Sequence, residues 1–407
     1  MCDTKPNDLN VWVEDFLRKR RYSKYELELA GNTSKGDGYL GEVTFVKVLT
    51  GIGREEEKIY NLVIKSAKKS DALRKKTPIK EVFDREMFMY SKVFPEMKQF
   101  QLERSTEAPF MKFAKCYSVF NENQKEAIIL QNLKYLEYDL HDRKVPQNLE
   151  HVLFVFENYG KFHAISMAMK KQTPELFEKL TENMDDLLSK FFIQTNMIDG
   201  LVKKFRDNLD LLKTENGVTY KKLSHFDKGF IEKVLVKERK PSDGIFALLH
   251  GDCWNNNMMF SYRDDASKQK PKDMMFLDFQ LSTLGSPIYD LSYYLYAVAD
   301  EKILKNFDLI LGTYHKSLTS FLKVLNEFSY NITYEDIKRH WIEYGGFGVV
   351  MAGLIIPIEL SDAEEVVDLA EEVESGDLSQ AFNSSIKNKQ EVENRIKAVF
   401  NHYASLL

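Results

Sequence analysis

The stretch LLHGDCWNNNMMF, residues 248–260, places a histidine, an aspartate and three asparagines between two apolar runs. A buried strand seldom ends in so many polar side chains unless they bond to one another or to a ligand. Two interpretations are open at this point: a turn whose polar groups satisfy one another, or the centre of an active site. The remainder of the chain has to decide between them.

A second polar motif follows thirteen residues later in MMFLDFQLSTLGSPIYDL, residues 274–291, after a charged and turn-rich segment. An apolar run, a polar turn and another apolar run are the pattern of a β-hairpin. A hairpin symmetric about its loop would place Tyr262 opposite Asp273, and the same register would place Asn257 opposite Asp278. An amide oxygen and a carboxylate that meet at one point suit Mg²⁺, which also takes phosphate oxygens.

The spacing His-x-Asp-x-x-x-x-Asn, here His250 to Asn257, is used by phosphoryl-transfer enzymes of the protein-kinase fold. In that arrangement Asp252 is the base that orients and deprotonates an alcohol, while Asn257 and Asp278 hold the metal. We expect His250 to be a hydrogen-bonded scaffold residue, and Asp290 to tie the loop together through backbone N–H groups. Because Gly-Asp alone often marks a turn, the prediction depends on both motifs occurring together and in this order.

A kinase fold also requires a glycine-rich turn, a lysine on the next strand and a glutamate on the following helix. SKGDGYLGEVTFVKV at 34–48 supplies the turn, whose backbone N–H groups would face phosphates. Each feature is commonplace alone, but all occur in order, and AIILQNL at 127–133 would be the last strand and the hinge that binds adenine. The residues assigned to the nucleotide are Ser34, Gly36, Gly38, Gly41, Lys65, Glu86, Gln131 and Leu133.

Composition argues against several classes of protein. The formal net charge of −5 over 407 residues gives no case for nucleic-acid binding. Three widely spaced cysteines do not form a disulfide framework and fit a reducing compartment, so we expect a cytoplasmic protein. The polar start MCDTKPND does not read as a secretory signal. The longest apolar run, 344–356, is too short to span a membrane and reads as buried core.

Short β-type runs dominate the first third of the chain, with one helix candidate at 80–94 among them and an amphipathic helix at 7–20 before them. The runs are 25–30, 41–49, 60–67 and 127–130. This pattern predicts a small sheet with one inserted helix.

The chain after Leu133 is mostly helical in pattern. Thr173 is expected to cap a helix through its hydroxyl, and one apolar face then continues to Phe191. The acidic segment 359–377 is interpreted as a solvated helix face or loop. The predicted class is therefore α+β, a two-lobed protein-kinase-like fold with a sheet-rich, nucleotide-binding lobe at 1–133 and a mainly helical, catalytic and substrate-binding lobe at 134–407.

These motifs together resemble the ecdysteroid kinase-like family, within the wider group of aminoglycoside phosphotransferases and choline kinases. The resemblance covers the chain from about Ser34 to the C-terminal helices, and it implies ATP- and Mg²⁺-dependent phosphorylation of a small-molecule hydroxyl. The family's name suggests steroid hormones as acceptors. The segments that carry it are LLHGDCWNNNMMF, FLDFQLSTLGSPIYDLSYYLY, VFDREMFMYSKVFP and YGKFHAIS.

Carried over by position, the resemblance makes Asp252 the base and Asn257 and Asp278 the metal ligands, while Lys65 with Glu86 places the phosphates. The hinge departs from the family pattern. Relatives usually read Leu-Glu-Asp-Leu, whereas residues 130–133 are Leu-Gln-Asn-Leu, and this difference bears on nucleotide affinity or specificity. A second departure, Asn-Tyr-Gly at 158–160, does not touch the chemistry.

Trp254, inside the catalytic loop, is the candidate for contacting the acceptor. Aromatic side chains after Asp290 would suit a flat apolar ligand such as a steroid, although at least half of them are expected in the helical core. These aromatic residues are Tyr293, Tyr294, Tyr296, Trp341, Tyr344 and Phe347. We therefore favour a steroid or other lipophilic alcohol as acceptor.

Three alternatives stay open. The acidic segment 359–377 would suit a cationic acceptor such as choline or an aminoglycoside. A kinase-fold pseudoenzyme would bind a lipophilic ligand without transferring phosphate, against which the intact set of catalytic residues argues. A metal-dependent hydrolase built on His250, Asp252 and Asp278 would need more metal ligands than these.

Overall fold

The computed structural model of the protein describes residues 6–32, 40–51, 57–104, 108–236, 241–262, 267–362 and 387–407, and the structural statements below concern these residues. The strands are β1 (Tyr25–Asn32), β2 (Gly41–Thr50), β3 (Lys58–Ala67), β4 (Cys116–Phe120), β5 (Ala127–Gln131), β6 (Asp139–Leu140), β7 (Ala247–Leu248), β8 (Met258–Tyr262), β9 (Pro271–Phe276) and β10 (Leu284–Gly285). The helices are α1 (Pro6–Arg18), α2 (Asp71–Lys76), α3 (Ile79–Phe88), α4 (Phe94–Leu102), α5 (Leu149–Gln172), α6 (Pro174–Thr181), α7 (Leu187–Gln194), α8 (Ile198–Asp210), α9 (Gly217–Leu223), α10 (Lys228–Val236), α11 (Ile288–Val298), α12 (Glu301–Leu304), α13 (Phe307–Val324), α14 (Tyr334–Tyr344), α15 (Gly346–Leu360) and α16 (Lys389–Leu406).

The first five strands form one antiparallel sheet in the order β1-β2-β3-β5-β4. All four β-type runs expected from the sequence lie in this sheet, which confirms them. Strand β4 was not predicted. It lies at the edge of the sheet, and of its five residues only Ser118 is buried. Because an edge strand buries so little, its sequence need not show the apolar alternation that marks a half-buried strand.

Helix α1 covers one face of this sheet, as its amphipathic pattern predicts. Its apolar side chains and those of β2, β3 and β5 form a compact cluster, which we call the outer core and which is separate from the main hydrophobic core of the molecule. The buried residues of the outer core are Leu9, Trp12, Val13, Phe16, Leu17, Val46, Val48, Leu62, Ile64, Ala127 and Ile129.

The helix predicted at 80–94 corresponds to α3, a following π-helical turn and the first residue of α4, and α4 continues it to Leu102. The π-helical turn, Met89–Val93, joins α3 to α4 without a break. Phe83, Met87 and Tyr90 form the buried face of this helix, and Glu86 on the same side is 1% exposed. A carboxylate so deeply buried is costly unless a cation pairs with it.

The second part of the chain is mainly helical, with α5 packed along α13 and α11 along α15. Helices α5 and α13 approach closely at Gly160, where an added Cβ would lie 2.7 Å from the Cβ of Ser317. This close packing requires glycine at 160.

The antiparallel sheet of the first part and the helices of the second confirm the predicted α+β, two-lobed, protein-kinase-like class. The division at residue 133 stays a prediction.

The helix predicted to run from Thr173 to Phe191 is two helices. The Thr173 hydroxyl donates to the carbonyl of Met169 at 3.1 Å and does not cap α6. The chain turns between α6 and α7, and Asp186 caps α7 by accepting from the N–H of Ser189 at 3.1 Å. An apolar face can therefore continue across a break when both helices pack on the same core.

The hairpin β8–β9 has a different register from the symmetric one. Asp273 pairs with Ser261 and not with Tyr262, because a bulge separates the last two pairs. Leu277 therefore lies opposite Asn257, whose carbonyl accepts from the Leu277 N–H at 2.8 Å. The observed register pairs Met258 with Phe276 and Phe260 with Met274, so that all four fully buried side chains share the core.

The interpretation of 359–377 as solvated is wrong for Glu359. This residue, at the end of α15, is 1% exposed and forms an ion pair of 3.2 Å with Arg395 on α16. Residues 363–377 lie outside the described ranges. In the described part of the chain no single helix is both long and apolar enough to cross a membrane; α14 and α15 together meet that criterion, with a bend of 57° between them.

Candidate active site

The catalytic loop leaves β7 through a glycine that no other residue can replace without strain. Gly251 has a φ of +90°, and an added Cβ would lie 2.1 Å from the carbonyl oxygen of Leu281. His250 donates from Nε2 to the carbonyl of Leu277 at 2.8 Å, and its Nδ1 accepts the N–H of Asp252 at 3.2 Å. Both ring nitrogens of His250 therefore hold the loop in place.

Asp290, near the start of α11, accepts the backbone N–H groups of His250 at 2.7 Å and of Gly251 at 3.0 Å. Its Oδ2 also lies 3.1 Å from Nε2 of His163 on α5. Burial raises the pKa of Asp290, but the hydrogen bond and charge of His163 and the loop N–H groups outweigh it, so the pKa is lowered. The ionised Asp290 anchors the loop to the helical core.

Asp252 has a hydrogen-bond donor at each carboxylate oxygen. The amide of Asn257 donates to Oδ2 at 2.9 Å, and the hydroxyl of Tyr293 donates to Oδ1 at 3.2 Å. Burial and then the negative charge of Asp278 raise the pKa of Asp252 to about 7, against both hydrogen bonds and Lys65. A carboxylate with such a pKa is a much stronger base than an exposed one.

Tyr293 is a site residue whose role sequence reasoning missed. It was one of six aromatic residues considered either as ring contacts for a flat ligand or as helical core, whereas its hydroxyl contacts Asp252. The other five lie outside the cavity that Asp252 lines and belong to the helical core or its edge. The signal was in the helical spacing, because Tyr293 lies one turn after Asp290, on the side of α11 that meets the loop.

Lys65 on β3 contacts Glu86, its predicted partner, and also Asp278, which was predicted only as a metal ligand. Its Nζ lies 2.6 Å from Oε2 of Glu86 and 2.7 Å from Oδ1 of Asp278. Burial lowers the pKa of Lys65, but the charges of Asp278 and Glu86 outweigh it and raise the pKa overall. Burial raises the pKa of Glu86 to about 7 against the opposing effect of Lys65. One lysine thus links the sheet, α3 and the segment after β9.

Asp278 has a φ of +63°, a backbone conformation uncommon outside glycine. Asp278 follows the last residue of β9 by two positions. Asp278 and Asn257 are not opposite each other in the hairpin, but both line the two cavities described below. Strained backbone that persists at a cleft is typical of functional sites.

Asn257 and Asp278 fit a magnesium ion by the chemistry of their donors. The amide nitrogen of Asn257 is occupied by Asp252, which leaves the amide oxygen as the free donor atom. Asp278 adds a carboxylate that is 23% exposed. Two hard oxygen donors with solvent access are the protein ligands that Mg²⁺ commonly takes beside phosphate. The described residues include no group of three or more His, Cys, Asp or Glu side chains that would hold a metal by themselves.

A cavity of about 320 Å³ lies between the sheet and the helical lobe, next to Lys65. Apolar side chains of both lobes line it, and polar side chains come both from the cluster around Lys65 and Asp278 and from the hinge, where Gln131, Asn132 and Lys134 lie. Its principal lining residues are Leu40, Gly41, Val43, Val63, Lys65, Glu86, Leu130, Gln131, Leu133, Asn257, Met259, Leu277 and Asp278. A flat base between apolar side chains, with phosphates near Lys65 and Asp278, would match this distribution.

The hinge differs from the prediction in one respect. The N–H of Gln131 is not free, because it donates to the carbonyl of Lys115 at 2.9 Å. Asn132, one of the two departures from the family pattern, accepts the N–H of Lys134 with its side-chain oxygen at 3.1 Å and so starts the short helix Leu133–Leu136. An aspartate would form the same cap, so this departure conserves the local structure.

The described residues include only the end of the glycine-rich turn, from Leu40 onward. Ser34, Gly36 and Gly38 lie outside the described residues. Gly41 starts β2 and lines the cavity, and an added Cβ there would lie 3.1 Å from both Phe83 and the carbonyl of Ser66. The space beside α3 therefore favours glycine at 41.

A second cavity of about 140 Å³ is lined by Asp252 and shares Asn257 and Asp278 with the first cavity. Asp252 and Asp278 are the only acidic residues among its described lining residues, which include no basic side chain, and Trp254 is also among them. The apolar wall comes mainly from α7 and α15: Leu188, Phe191, Phe192, Met351, Leu354, Ile355 and Ile358. Sequence analysis did not predict these residues, because neither helix is near the catalytic motifs in the chain.

A cleft between a sheet-rich and a helical lobe, with a Lys-Glu-Asp cluster facing a His-Gly-Asp loop, defines the protein-kinase-like class. Within this class, the model of the ecdysteroid kinase-like family matches residues 35–327, and the chain belongs to that family. This match confirms the resemblance stated from the motifs.

Two solved structures similar to this chain are GDP complexes of aminoglycoside 2'-phosphotransferase-IIIa. One is a point mutant, with 12% identity, a TM-score of 0.41 and coverage of 98% of this chain and 100% of that chain. The other is the wild type, with 11% identity, a TM-score of 0.38 and the same coverage. None of the curated sequences compared with the chain matches it.

Proposed function

We propose that this protein is an ATP- and Mg²⁺-dependent small-molecule kinase that phosphorylates a hydroxyl of a lipophilic, steroid-like alcohol. The observation that carries the proposal is the place of Asp252: it lines the apolar cavity, and its partner Asn257 lines both cavities. A base at this boundary meets the acceptor hydroxyl on one side and the phosphate to be transferred on the other.

The nucleotide occupies the cavity between the lobes in this proposal. The carbonyl of Gln131 and the N–H of Leu133 contact the base, while Ser34, Gly36 and Gly38 cover the phosphates. Lys65, held by Glu86, binds the phosphates from the sheet side. Mg²⁺, when bound by Asn257 and Asp278, would neutralise charge on the phosphates.

Asp252 accepts the proton of the acceptor hydroxyl as the hydroxyl oxygen attacks the terminal phosphorus of ATP. The bond between that phosphorus and the β,γ-bridging oxygen breaks, and ADP leaves. The hydrogen bonds from Tyr293 and Asn257 fix the orientation of the carboxylate. Burial keeps bulk water from competing with the acceptor for this base. Positioning of the two substrates and removal of one proton are the main contributions that a phosphoryl transfer requires from the protein.

The apolar wall favours a lipophilic acceptor. A polycationic aminoglycoside needs several carboxylates, and the two acids at the cavity are already assigned to the base and the metal. A volume of about 140 Å³ is below the usual size of a pocket that encloses a whole ligand, which is about 300 Å³ or more. The hydroxyl-bearing end of a steroid would enter, with Trp254 against its rings.

The test is mass spectrometry of a reaction that contains the protein, Mg·ATP and a panel of steroid alcohols, choline and aminoglycosides, with Asp252→Asn as control. A steroid product heavier by one phosphoryl group, absent with the variant, is expected. Transfer only to choline or an aminoglycoside would overturn the acceptor class. Bound ATP with no product from any acceptor would favour the pseudoenzyme.

A further inference from the structure

Arg85, the residue before Glu86 on α3, is 7% exposed and reaches out of the sheet-rich lobe. Its guanidinium donates to three backbone carbonyls of the helical lobe. Nη2 donates to Asn183 at 2.9 Å, and Nη1 donates to Asp185 at 3.2 Å and also to Ser282. The mechanism proposed above does not use this residue.

The three carbonyls belong to two segments with different tasks. Residues 182–186 form the turn that starts α7, the helix whose side chains line the apolar cavity. Ser282 follows Asp278 by four residues. The Thr283 hydroxyl donates to the carbonyl of Met184 at 2.9 Å and thereby joins the two segments. Arg85 thus lies where the helix of Glu86, the segment of Asp278 and the wall of the apolar cavity meet.

The chemistry of Arg85 makes this junction sensitive to geometry. Burial lowers its pKa, and Asp185 and Asp186 only partly oppose this effect. Among the described residues its hydrogen-bond acceptors are three neutral carbonyls, which compensate most of the cost of burying the charge. A planar, rigid fork can hold three acceptors in fixed positions, whereas a lysine cannot.

We propose that Arg85 is a positioning residue that couples the nucleotide site to the wall of the acceptor cavity. Nucleotide that engages Lys65 and Glu86 fixes α3, and α3 then fixes the turn before α7 through Arg85. Because coupling between two sites is reciprocal, an acceptor that orders α7 strengthens nucleotide binding equally. This inference rests on the proposed function.

A second contact between α3 and α7 provides a control for the test of Arg85. Glu81 on α3 and Lys190 on α7 join the same two helices through an ion pair of 2.6 Å, but both side chains are exposed. Exposed pairs contribute little to stability. Glu81→Gln therefore removes a contact between the same two elements and leaves the guanidinium in place.

The experiment is hydrogen–deuterium exchange of the full chain with and without saturating Mg·AMP-PNP, read in peptides that cover 182–194. These residues do not line the nucleotide cavity, so protection there reports transmission and not contact. We expect exchange to slow by about fivefold or more in the wild type and in Glu81→Gln. We expect a change of less than about twofold in Arg85→Lys and Arg85→Met.

Equal protection in the arginine variants would overturn the role of Arg85, and so would wild-type protein that binds Mg·AMP-PNP without protection at 182–194. If both arginine variants fail to fold, the wild type still tests the coupling between the two sites, because absence of protection at 182–194 overturns it. Failure of the wild type to bind the nucleotide at all, seen as no protection around Lys65, would instead overturn the proposed function and the coupling with it.

Discussion

The amide nitrogen of Asn257 donates to Oδ2 of Asp252 at 2.9 Å and to its backbone carbonyl at 3.0 Å. One side chain therefore fixes the proposed base through its nitrogen and keeps its oxygen for the proposed metal. The position of the base and the proposed metal site are linked by a single short contact. Substitutions at the two aspartates should separate the two tasks.

Replacing Asp252 by asparagine should abolish transfer while nucleotide still binds. The amide cannot accept the acceptor proton, so we expect kcat to fall by about 1000-fold, within the usual range for loss of a general base. The dissociation constant of Mg·ATP, measured by calorimetry, should change by less than about threefold. Asp139→Asn, an exposed change on β6, is the matched control, and wild-type turnover by Asp252→Asn would remove Asp252 from the role of base.

Replacing Asp278 by alanine should remove the dependence of nucleotide binding on Mg²⁺. We expect ATP affinity of the wild type to fall at least ~10-fold when EDTA replaces Mg²⁺, and that of the variant to be equally weak in both conditions. Fluorescence titration of a labelled ATP measures both. A variant that keeps the Mg²⁺ effect would show that the metal is held elsewhere.

Replacing Phe191 by alanine should weaken the acceptor and spare the nucleotide. The lost apolar contact in the cavity should raise KM for the best steroid alcohol of the panel by about tenfold, which corresponds to roughly 1.4 kcal/mol. Ile193 lies on the same helix but is 53% exposed and does not line the cavity, so Ile193→Ala is the control. The same rise in KM in both variants would place the acceptor elsewhere.

His402 on α16 should make the fold sensitive to acid. Its Nδ1 accepts from the Tyr296 hydroxyl at 3.0 Å, and that hydroxyl accepts from the indole N–H of Trp341 at 3.1 Å. Burial lowers the pKa of His402 to about 4, against the opposing charge of Asp308. The ordinary value is about 6.5, so the unfolded chain takes up a proton below that pH while the folded chain does not until about pH 4.

Because the unfolded state binds more protons in this window, the free energy of unfolding falls as the pH falls from about 6.5 to 4. We expect His402 to account for a loss of roughly 2–3 kcal/mol between pH 7 and pH 4.5. Urea unfolding at both values, compared with His402→Gln, isolates this contribution. Identical pH dependence in the two proteins would contradict the assignment.

The sequence predicts the parts of the site that depend on local pattern and chain order. Two motifs on one hairpin mark Asp252, Asn257 and Asp278 as site residues. The patterns of a strand and of the following helix mark Lys65 and Glu86 in the same way, and the structure brings these five residues together. The bulge that shifts the hairpin by one residue is not visible in the pattern, since a bulge depends on which apolar pairs fill the core.

Contacts between distant elements are the part that sequence reasoning misses. Tyr293 reads as one more aromatic residue of a buried helix, and Arg85 reads as a solvated charge beside Glu86. Their partners lie 41 residues away in one case and about 100 to 200 residues away in the other. The packing of α11 against the catalytic loop gives Tyr293 its role, and the packing of α3 against the turn before α7 and the segment after Asp278 gives Arg85 its role.

The outer core has a consequence for synthesis on the ribosome. The apolar face of α1 needs β5 to complete its cover, and Ala127 follows Leu17 by 110 positions in the sequence. At translation rates of about 5–20 residues per second, the interval between synthesis of α1 and synthesis of β5 is on the order of ten seconds. The apolar side chains of Trp12 and Phe16 therefore stay exposed on the nascent chain during this interval.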